Sequence, residues 1–217
     1  MPCNPFKGGD SDICHLSQGG LLAFPTETVW GIAGNSKDDA AINRLVKFKG
    51  RPKGQPISVL VPRLETLESL GVGIKRELRA LLGIFWPGPL TLVVKVETKF
   101  AVEICREDGA VGFRCSPHPI ALKLAKEAEL KGLGLLTATS CNRSGDPAAR
   151  TRGEAQAVCA KAAKDFKVRL VKGLTPDATG LQPSTVLDAT CSELRILREG
   201  AIKREAIFRA IDGSYIS

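Results

Sequence analysis

The sequence predicts a single α/β domain built on a mixed sheet. Short apolar runs of strand length alternate with segments of helical periodicity along the 217 residues, a pattern typical of α/β proteins. Two apolar runs near the C-terminus follow each other without a helix between them, which indicates that some strands pair antiparallel. Because no repeat, low-complexity tract or Pro/Ser-rich linker divides the chain, we expect one domain over residues 1–217.

In the first half of the chain, cap and turn residues separate the predicted elements. Ser36-Lys37-Asp38-Asp39 matches a capping box in front of apolar residues at helical spacing. Trp86-Pro87-Gly88-Pro89 stops a second helix, since proline cannot continue it. The elements predicted here are, in order, strand Leu21–Phe24, a helix from the capping box to about Phe48, strand Ile57–Val61, helix Ile74–Phe85 and strand Leu90–Val96.

The second half contains two further helix starts. Ser116-Pro117 offers a polar cap followed by proline at the first helical position. Thr151-Arg152-Gly153-Glu154 is a second capping box. The elements predicted here are strand Ala110–Cys115, a helix closed by Gly132, strand Leu135–Ala138, a helix after the second box, short strands near Val186 and Ile196, and a helix from Lys203.

Composition favours a globular protein of the cytoplasm. Hydrophobic residues make up 43% and charged residues 25% of the chain, which is an ordinary balance for a packed domain. The longest apolar runs are too short to cross a bilayer, and Met1–Pro5 lacks the features of a signal peptide. We therefore expect a cytoplasmic protein with no membrane partner.

Cysteine and histidine usage argues against a disulfide framework and a metal site. The seven cysteines are odd in number and widely spaced, and no Cys-x-x-Cys pair occurs. Only His15 and His118 could add imidazole ligands, so we expect no metal site formed by the protein. Cys115 and Cys141 lie in no motif for a nucleophile and are interpreted as structural. His118 is expected to pack or to cap a helix.

A loop after the first strand carries candidate ligand-binding hydroxyls. Pro25–Gly31 follows the apolar run directly, and loops at strand ends commonly hold sites. In an extended backbone, Thr26 and Thr28 would present both hydroxyls on one face. In the alternative interpretation the threonines cap a turn and Glu27 is solvated, and the residues alone leave both open.

A cluster of cations follows the helix that ends near Phe48. The net charge of +8 favours polyanionic partners, either nucleotide phosphates or RNA. Between Ala40 and Leu64 there are six basic residues and no acidic one, which suits a triphosphate. In an extended segment Lys49, Arg51 and Lys53 share one face, and we interpret the first two as an anion site. The basic residues on the preceding helix, Arg44 and Lys47, are explained equally well as its solvated face.

Three further places carry polar residues at predicted strand ends. Ser140 and Asn142 alternate onto one face and could contact phosphate or ribose, although such loops are often ordinary turns. Arg114 and Arg198 end or follow strands, and a surface role remains open for both. The chain has neither a Walker phosphate loop nor a dinucleotide glycine fingerprint. Because several polar loops follow strand ends in one α/β chain, we expect them to form a single ligand site.

Together these segments resemble the YrdC-like family, the threonylcarbamoyl-AMP synthases. Each motif alone is weak, whereas the full set in family order, from about Leu21 to Arg204, is highly specific. The matching segments are Pro25–Gly31, Lys49–Pro52, Trp86–Thr91, Arg114, Ser140–Gly145, Ser184–Val186 and Leu197–Gly200.

The resemblance implies a twisted open sheet with flanking helices around a large basic cavity. It implies that L-threonine, bicarbonate or carbon dioxide, and ATP with Mg²⁺ give threonylcarbamoyl-AMP and pyrophosphate. A separate transferase complex would then modify an adenosine of tRNA. The implied threonine-binding residues are Thr26, Thr28, Arg114, Ala138 and Ser184. The implied ATP-binding residues are Lys49, Arg51, Gln55, Ser140, Asn142 and Arg198, of which Lys49 and Arg51 act as catalytic cations.

Four positions depart from the family pattern and bear on pocket shape. Leu60 stands where several relatives have His, Cys141 replaces a small Ala, Ala148 replaces Ser, and Trp30 replaces Tyr. The chain resembles the short form, without the extra C-terminal domain of longer relatives.

Two alternatives of other classes remain. The first is a non-catalytic protein that binds double-stranded or structured RNA, with tRNA as a possible partner, through the same basic concavity. The second is a carbamoyl-transfer domain of hydrogenase-maturation type, against which the lack of zinc-finger-like cysteines argues. The enzymatic interpretation requires Thr28, Arg51, Ser140 and Arg198 to meet at one hollow.

Overall fold

The computed structural model describes residues 11–50, 55–162, 164–173, 177, 180 and 182–211. Its strands are β1 Leu21–Phe24, β2 Gly31–Ala33, β3 Ser58–Leu60, β4 Leu90–Lys95, β5 Ala110–Arg114, β6 Leu136–Ser140, β7 Val168–Leu170, β8 Thr185–Asp188 and β9 Arg195–Arg198. Its helices are α1 Asp12–Ser17, α2 Asp39–Lys49, α3 Glu65–Ser69, α4 Arg76–Phe85, α5 Pro119–Leu130, α6 Arg152–Ala160 and α7 Arg204–Ile211, with a 3₁₀ turn at Lys164–Phe166.

The strands form one twisted, open, mixed sheet in the order β7-β1-β2-β6-β3-β5-β4-β8-β9. Parallel pairs join β1 to β7, β3 to β5 and β4 to β8. In the centre, β6 runs antiparallel to both β2 and β3, with Ser140 opposite Gly31 and Ala138 opposite Ser58. The predicted α/β class and the mixed sheet are therefore confirmed.

Two clusters of buried hydrophobic side chains hold the helices against the sheet. The first contains Phe24, Trp30 and Phe48 together with residues of α1 and α5. The second contains Trp86 and Phe113 together with residues of α3, α4 and α7. Burial of apolar area at about 25 cal/mol per Å² is the main source of stability in such clusters. No helix in the described part of the chain combines the length and apolar character needed to cross a bilayer.

The first helix start is displaced from its predicted cap. The side chain of Asp38 accepts hydrogen bonds from the amides of Ala40 and Ala41, at 2.9 and 3.2 Å, and α2 follows it directly. Ser36 is buried and its Oγ donates to the carbonyl of Leu135 at 2.8 Å. The prediction of a Ser36 capping box is therefore wrong. A carboxylate at the first turn also interacts favourably with the helix dipole, which favours Asp38.

The helix predicted to begin at Ser116-Pro117 begins two residues later. His118 is the cap, with Nδ1 accepting from the amide of Ile120 at 3.3 Å, and Pro119 occupies the first helical position. Ser116 instead uses its Oγ to donate to Glu27. The sequence contains two polar-proline pairs in succession, and the contact with Glu27 decides between them. The second capping box, at Thr151, is confirmed with both of its hydrogen bonds.

We expect both histidines to make folding stability fall as the pH falls below about 6.5. His15 Nε2 lies 3.1 Å from the carbonyl oxygen of Leu21 and 2.9 Å from that of Lys167. Burial lowers the pKa of His15 and of His118 below the ordinary 6.5. The unfolded chain therefore binds protons that the folded chain resists, and the free energy of unfolding rises with pH in this range.

Urea unfolding at pH 7.5 and 5.5 measures this effect. His118→Asn keeps a side-chain cap but removes the titration, so it should make the pH dependence shallower. An unchanged slope after replacement of both histidines would contradict the assignment. Carboxylates with low pKa values in the folded state lose stability only at lower pH, so this window isolates the imidazoles.

Candidate active site

A cavity of about 420 Å³ lies over one face of the sheet. Alternate residues of several strands face it, as the period of two in a strand requires. On β5 these are Ala110, Gly112 and Arg114, and on β6 they include Ala138 and Ser140. The predicted site residues that line this cavity are Thr26, Thr28, Gln55, Arg114, Ala138, Ser140, Ser184 and Arg198.

Two of the predicted residues that the structure describes do not line the cavity. Lys49 and Asn142 are buried, with 2% and 8% of their surface exposed, and lie outside the lining. Lys49 is the last residue of helix α2 and Gly50 after it is left-handed, so the prediction of an extended segment is wrong at Lys49. Arg51 and Lys53 lie outside the described residues, and their part of that expectation stays a prediction. Of the four residues that had to meet, Thr28, Ser140 and Arg198 do so.

The threonines of the first loop are brought together by a turn. The Oγ1 atoms of Thr26 and Thr28 are 2.9 Å apart, and Thr26 Oγ1 also accepts from the amide of Thr28 at 3.1 Å. Thr26 donates to the carbonyl of Val29 at 2.6 Å. Of the two interpretations left open, the turn capped by the threonines is correct and the extended backbone is not, because local hydrogen bonds bend residues 27–29. Both hydroxyls nevertheless reach the cavity.

Glu27 of this loop forms an ion pair with Arg114 of β5, and both side chains are largely buried. Arg114, only 7% exposed, donates from Nη2 to Glu27 Oε1 and lies 3.5 Å from Thr28 Oγ1. Ser116 Oγ donates to the other carboxylate oxygen of Glu27. Burial lowers the pKa of Arg114, and the neighbouring carboxylate of Glu27 opposes that shift. The side chain of Glu27 is 13% exposed, so its interpretation as a solvated residue is wrong.

The buried side chain of Lys49 makes hydrogen bonds to the end of β6 and to the loop that follows it. Its Nζ donates to the carbonyl of Ser140 at 2.6 Å and to Asn142 Oδ1 at 2.5 Å, with Ser140 Oγ at 3.3 Å. The amide of Ser144 donates to the carbonyl of Lys49 at 2.6 Å. In this arrangement the ammonium group fixes the Ser140 and Asn142 side chains. The predicted contact of Lys49 with a triphosphate stays a prediction.

Arg198 and Ser184 form the opposite part of the lining. Arg198 Nε and Nη2 donate to the carbonyl of Ser184 at 3.2 and 2.9 Å, and Nη2 lies 3.2 Å from Ser184 Oγ. Ser184 Oγ also shares a hydrogen bond of 2.8 Å with Thr91 Oγ1. This network ties β9, β8 and β4 together at the cavity.

Sequence reasoning missed Arg106, a third arginine of the lining. Its guanidinium donates to Asp188 Oδ2 and Asp108 Oδ2, both at 2.6 Å, and to Thr190 Oγ1 at 3.1 Å. This pairing lowers the pKa of Asp108. Only the Arg-x-Asp spacing could have hinted at it, because Asp188 lies 82 residues away. No carboxylate is among the lining side chains of the described residues.

The positions that depart from the family pattern are all in the described chain. Leu60 and Trp30 line the cavity and are nearly or fully buried, and Cys141 is fully buried beside it. The Cys159 thiol and burial raise the pKa of Cys141, and burial raises that of Cys115 to about 11. Protonated, inaccessible thiols of this kind are unreactive. Among the described residues no group of three His, Cys, Asp or Glu side chains could hold a metal ion.

Comparison with known proteins decides the family. The Sua5/YciO/YrdC family, described as "Telomere recombination", matches residues 14–200. The chain belongs to this family. The resemblance predicted from the sequence motifs is thereby confirmed.

Relatives in the Sua5/YciO/YrdC family extend this result. A putative threonylcarbamoyl-AMP synthase of Mycobacterium tuberculosis is 31% identical over 93% of this chain and 88% of its own length. The threonylcarbamoyl-AMP synthase of Pyrococcus abyssi is 34% identical over 90% of this chain and 55% of its own. The crystal structure of Pyrococcus abyssi Sua5 complexed with L-threonine matches with a TM-score of 0.79 at 33% identity, over 92% of this chain and 56% of the other.

Proposed function

We propose that this chain is a threonylcarbamoyl-AMP synthase, joining L-threonine, bicarbonate or carbon dioxide, and ATP. Relatives at 31–34% identity carry that name, and a structural relative is complexed with L-threonine. The observation that supports the proposal best is the arrival of Thr28, Arg114, Ser140 and Arg198 at one cavity from four separate parts of the chain.

The proposed reaction needs alignment of substrates more than a protein nucleophile. The threonine amine releases a proton to water and bonds to the carbon of carbon dioxide, whose C=O π electrons move onto oxygen to give the carbamate. A carbamate oxygen then bonds to the α-phosphorus of ATP, while the bond to the bridging oxygen breaks and pyrophosphate leaves. Arg114 and Thr28 would hold the threonine carboxylate, and Ser140 and Arg198 the nucleotide, so that the reacting atoms lie in line. Fixed cations near the phosphates would stabilise the developing negative charge.

Magnesium and the downstream partners complete the proposal. Mg²⁺ would arrive with ATP and be held by phosphate oxygens and water, which this ion retains readily. The product would pass to a separate transferase complex that modifies an adenosine of tRNA in the cytoplasm. The RNA-binding alternative uses the same arginines and predicts steep salt dependence, whereas the enzyme predicts dependence on threonine.

The test is synthesis from defined substrates. We expect the purified chain, with Mg-ATP, bicarbonate and L-threonine, to form an adenylate of the mass of threonylcarbamoyl-AMP. Serine lacks one methyl group, and a pocket contact of that size gives about tenfold discrimination. Reactions without bicarbonate or with serine are therefore the controls. Adenylate formation that ignores the amino acid supplied would contradict the proposal.

A further inference from the structure

Glu27 lies behind the cavity wall. The residues on either side of it, Thr26 and Thr28, line the cavity, whereas Glu27 does not. Its two carboxylate oxygens accept hydrogen bonds from Arg114 and from Ser116, and both of these side chains do line the cavity. Through Arg114 and Ser116, Glu27 acts on the cavity without lining it.

The geometry of Arg114 shows what this contact fixes. A guanidinium group is planar and offers its donors in a rigid fork. Nη2 is engaged by Glu27 and Thr28. Nε is buried and has no hydrogen-bond partner among the described residues. Because Arg114 lines the cavity, Nη1 is the donor left to face a ligand.

We propose that Glu27 is a positioning residue for the amino-acid substrate, an inference that rests on the proposed function. Glu27 holds the guanidinium plane of Arg114 so that Nη1 points towards the carboxylate of threonine. It also keeps Ser116 Oγ in the wall beside that group. The carboxylate of Glu27 touches neither substrate.

Charge and position make opposite predictions for the removal of this acid. If Glu27 acted only through its charge, neutralising it would remove a negative charge close to Arg114, and the threonine carboxylate would bind more tightly. If Glu27 acts by holding the guanidinium plane, neutralising it lets the guanidinium group of Arg114 rotate. Threonine binding then weakens, since displacement of a positioned group is costly. The sign of the change in threonine affinity therefore decides between them.

The experiment compares Glu27→Gln and Glu27→Asp in the full chain. We expect Glu27→Gln to raise the KM for threonine, and the threonine Kd from calorimetry, by at least about tenfold, with the KM for ATP changed less than about twofold. Glu27→Asp keeps the charge on a shorter arm and should recover part of the affinity. Glu68→Gln is the matched control, because Glu68 pairs with Arg79 on the surface, away from the lining.

The readouts separate the failure of the inference from that of the proposed function. A threonine Kd that is unchanged or lower in Glu27→Gln would overturn the inference, as would equal rises in both KM values accompanied by a lower Tm. If the unmodified chain binds threonine but forms no product, the proposed function fails and the calorimetric comparison still decides the role of Glu27. If it neither binds threonine nor forms product, both fail.

Discussion

Replacing Arg114 with alanine is expected to abolish threonine-dependent pyrophosphate release and to destabilise the fold. The substitution removes one of the three arginines that line the cavity and leaves the largely buried carboxylate of Glu27 without its ion-pair partner. Breaking a buried ion pair by removing one partner costs about 3–5 kcal/mol. Urea unfolding and a pyrophosphate-release assay measure the two effects.

A double substitution separates catalysis from stability. Arg114→Met with Glu27→Gln removes both charges, and replacing a buried pair by apolar or neutral groups is often close to neutral for stability. We expect this variant to recover most of the lost free energy of unfolding while remaining inactive. Normal turnover in either variant would show that Arg114 has no part in the reaction.

Replacing Lys49 with alanine is expected to weaken ATP binding and to lower the free energy of unfolding by about 3 kcal/mol. The ammonium group donates to Ser140 and Asn142 from a buried position, so its loss leaves those acceptors unsatisfied. The loop after β6 should then shift, and Ser140 should no longer present its side chain to the cavity.

A neighbouring lysine provides the control for this prediction. Lys47 lies two residues earlier on α2 and is exposed, so Lys47→Ala should change stability by less than about 0.5 kcal/mol. The KM for ATP and the urea midpoint are measured for both variants. Equal effects from the two substitutions would show that net charge, rather than the contacts of Lys49, is responsible.

The sequence predicts those strands whose signal is local. Leu21–Phe24 is a fully buried apolar run that ends at Pro25, and it is found as predicted. The sequence does not predict Gly31–Ala33, because three residues are too few to show an alternation of apolar and polar side chains. Its pairing with β6 also depends on residues more than 100 positions away. Val168–Leu170 is half-buried at an edge and was missed for a similar reason.

Residue types in the candidate site are also predictable, whereas their burial is not. The segments of Thr28, Arg114, Ser140 and Arg198 reach the cavity as the hydroxyls and cations at strand ends predict, whereas Lys49 does not. The residue type of a charged side chain does not show whether it is solvated or buried. The sequence therefore could not predict the contact of Glu27 with Arg114, 87 residues away. For the same reason it could not place Lys49 against Ser140, 91 residues away.

The central place of β6 has a consequence for synthesis on the ribosome. This strand lies between β2 and β3 and pairs with both, although they precede it by about 80 to 110 positions. Until Leu136–Ser140 leaves the exit tunnel, the two earlier strands each expose an unpaired edge, which is a surface prone to aggregation. A chain terminated before that point would therefore lack the strand that joins the two halves of the sheet. It would also lack the part of the cavity wall that β6 provides.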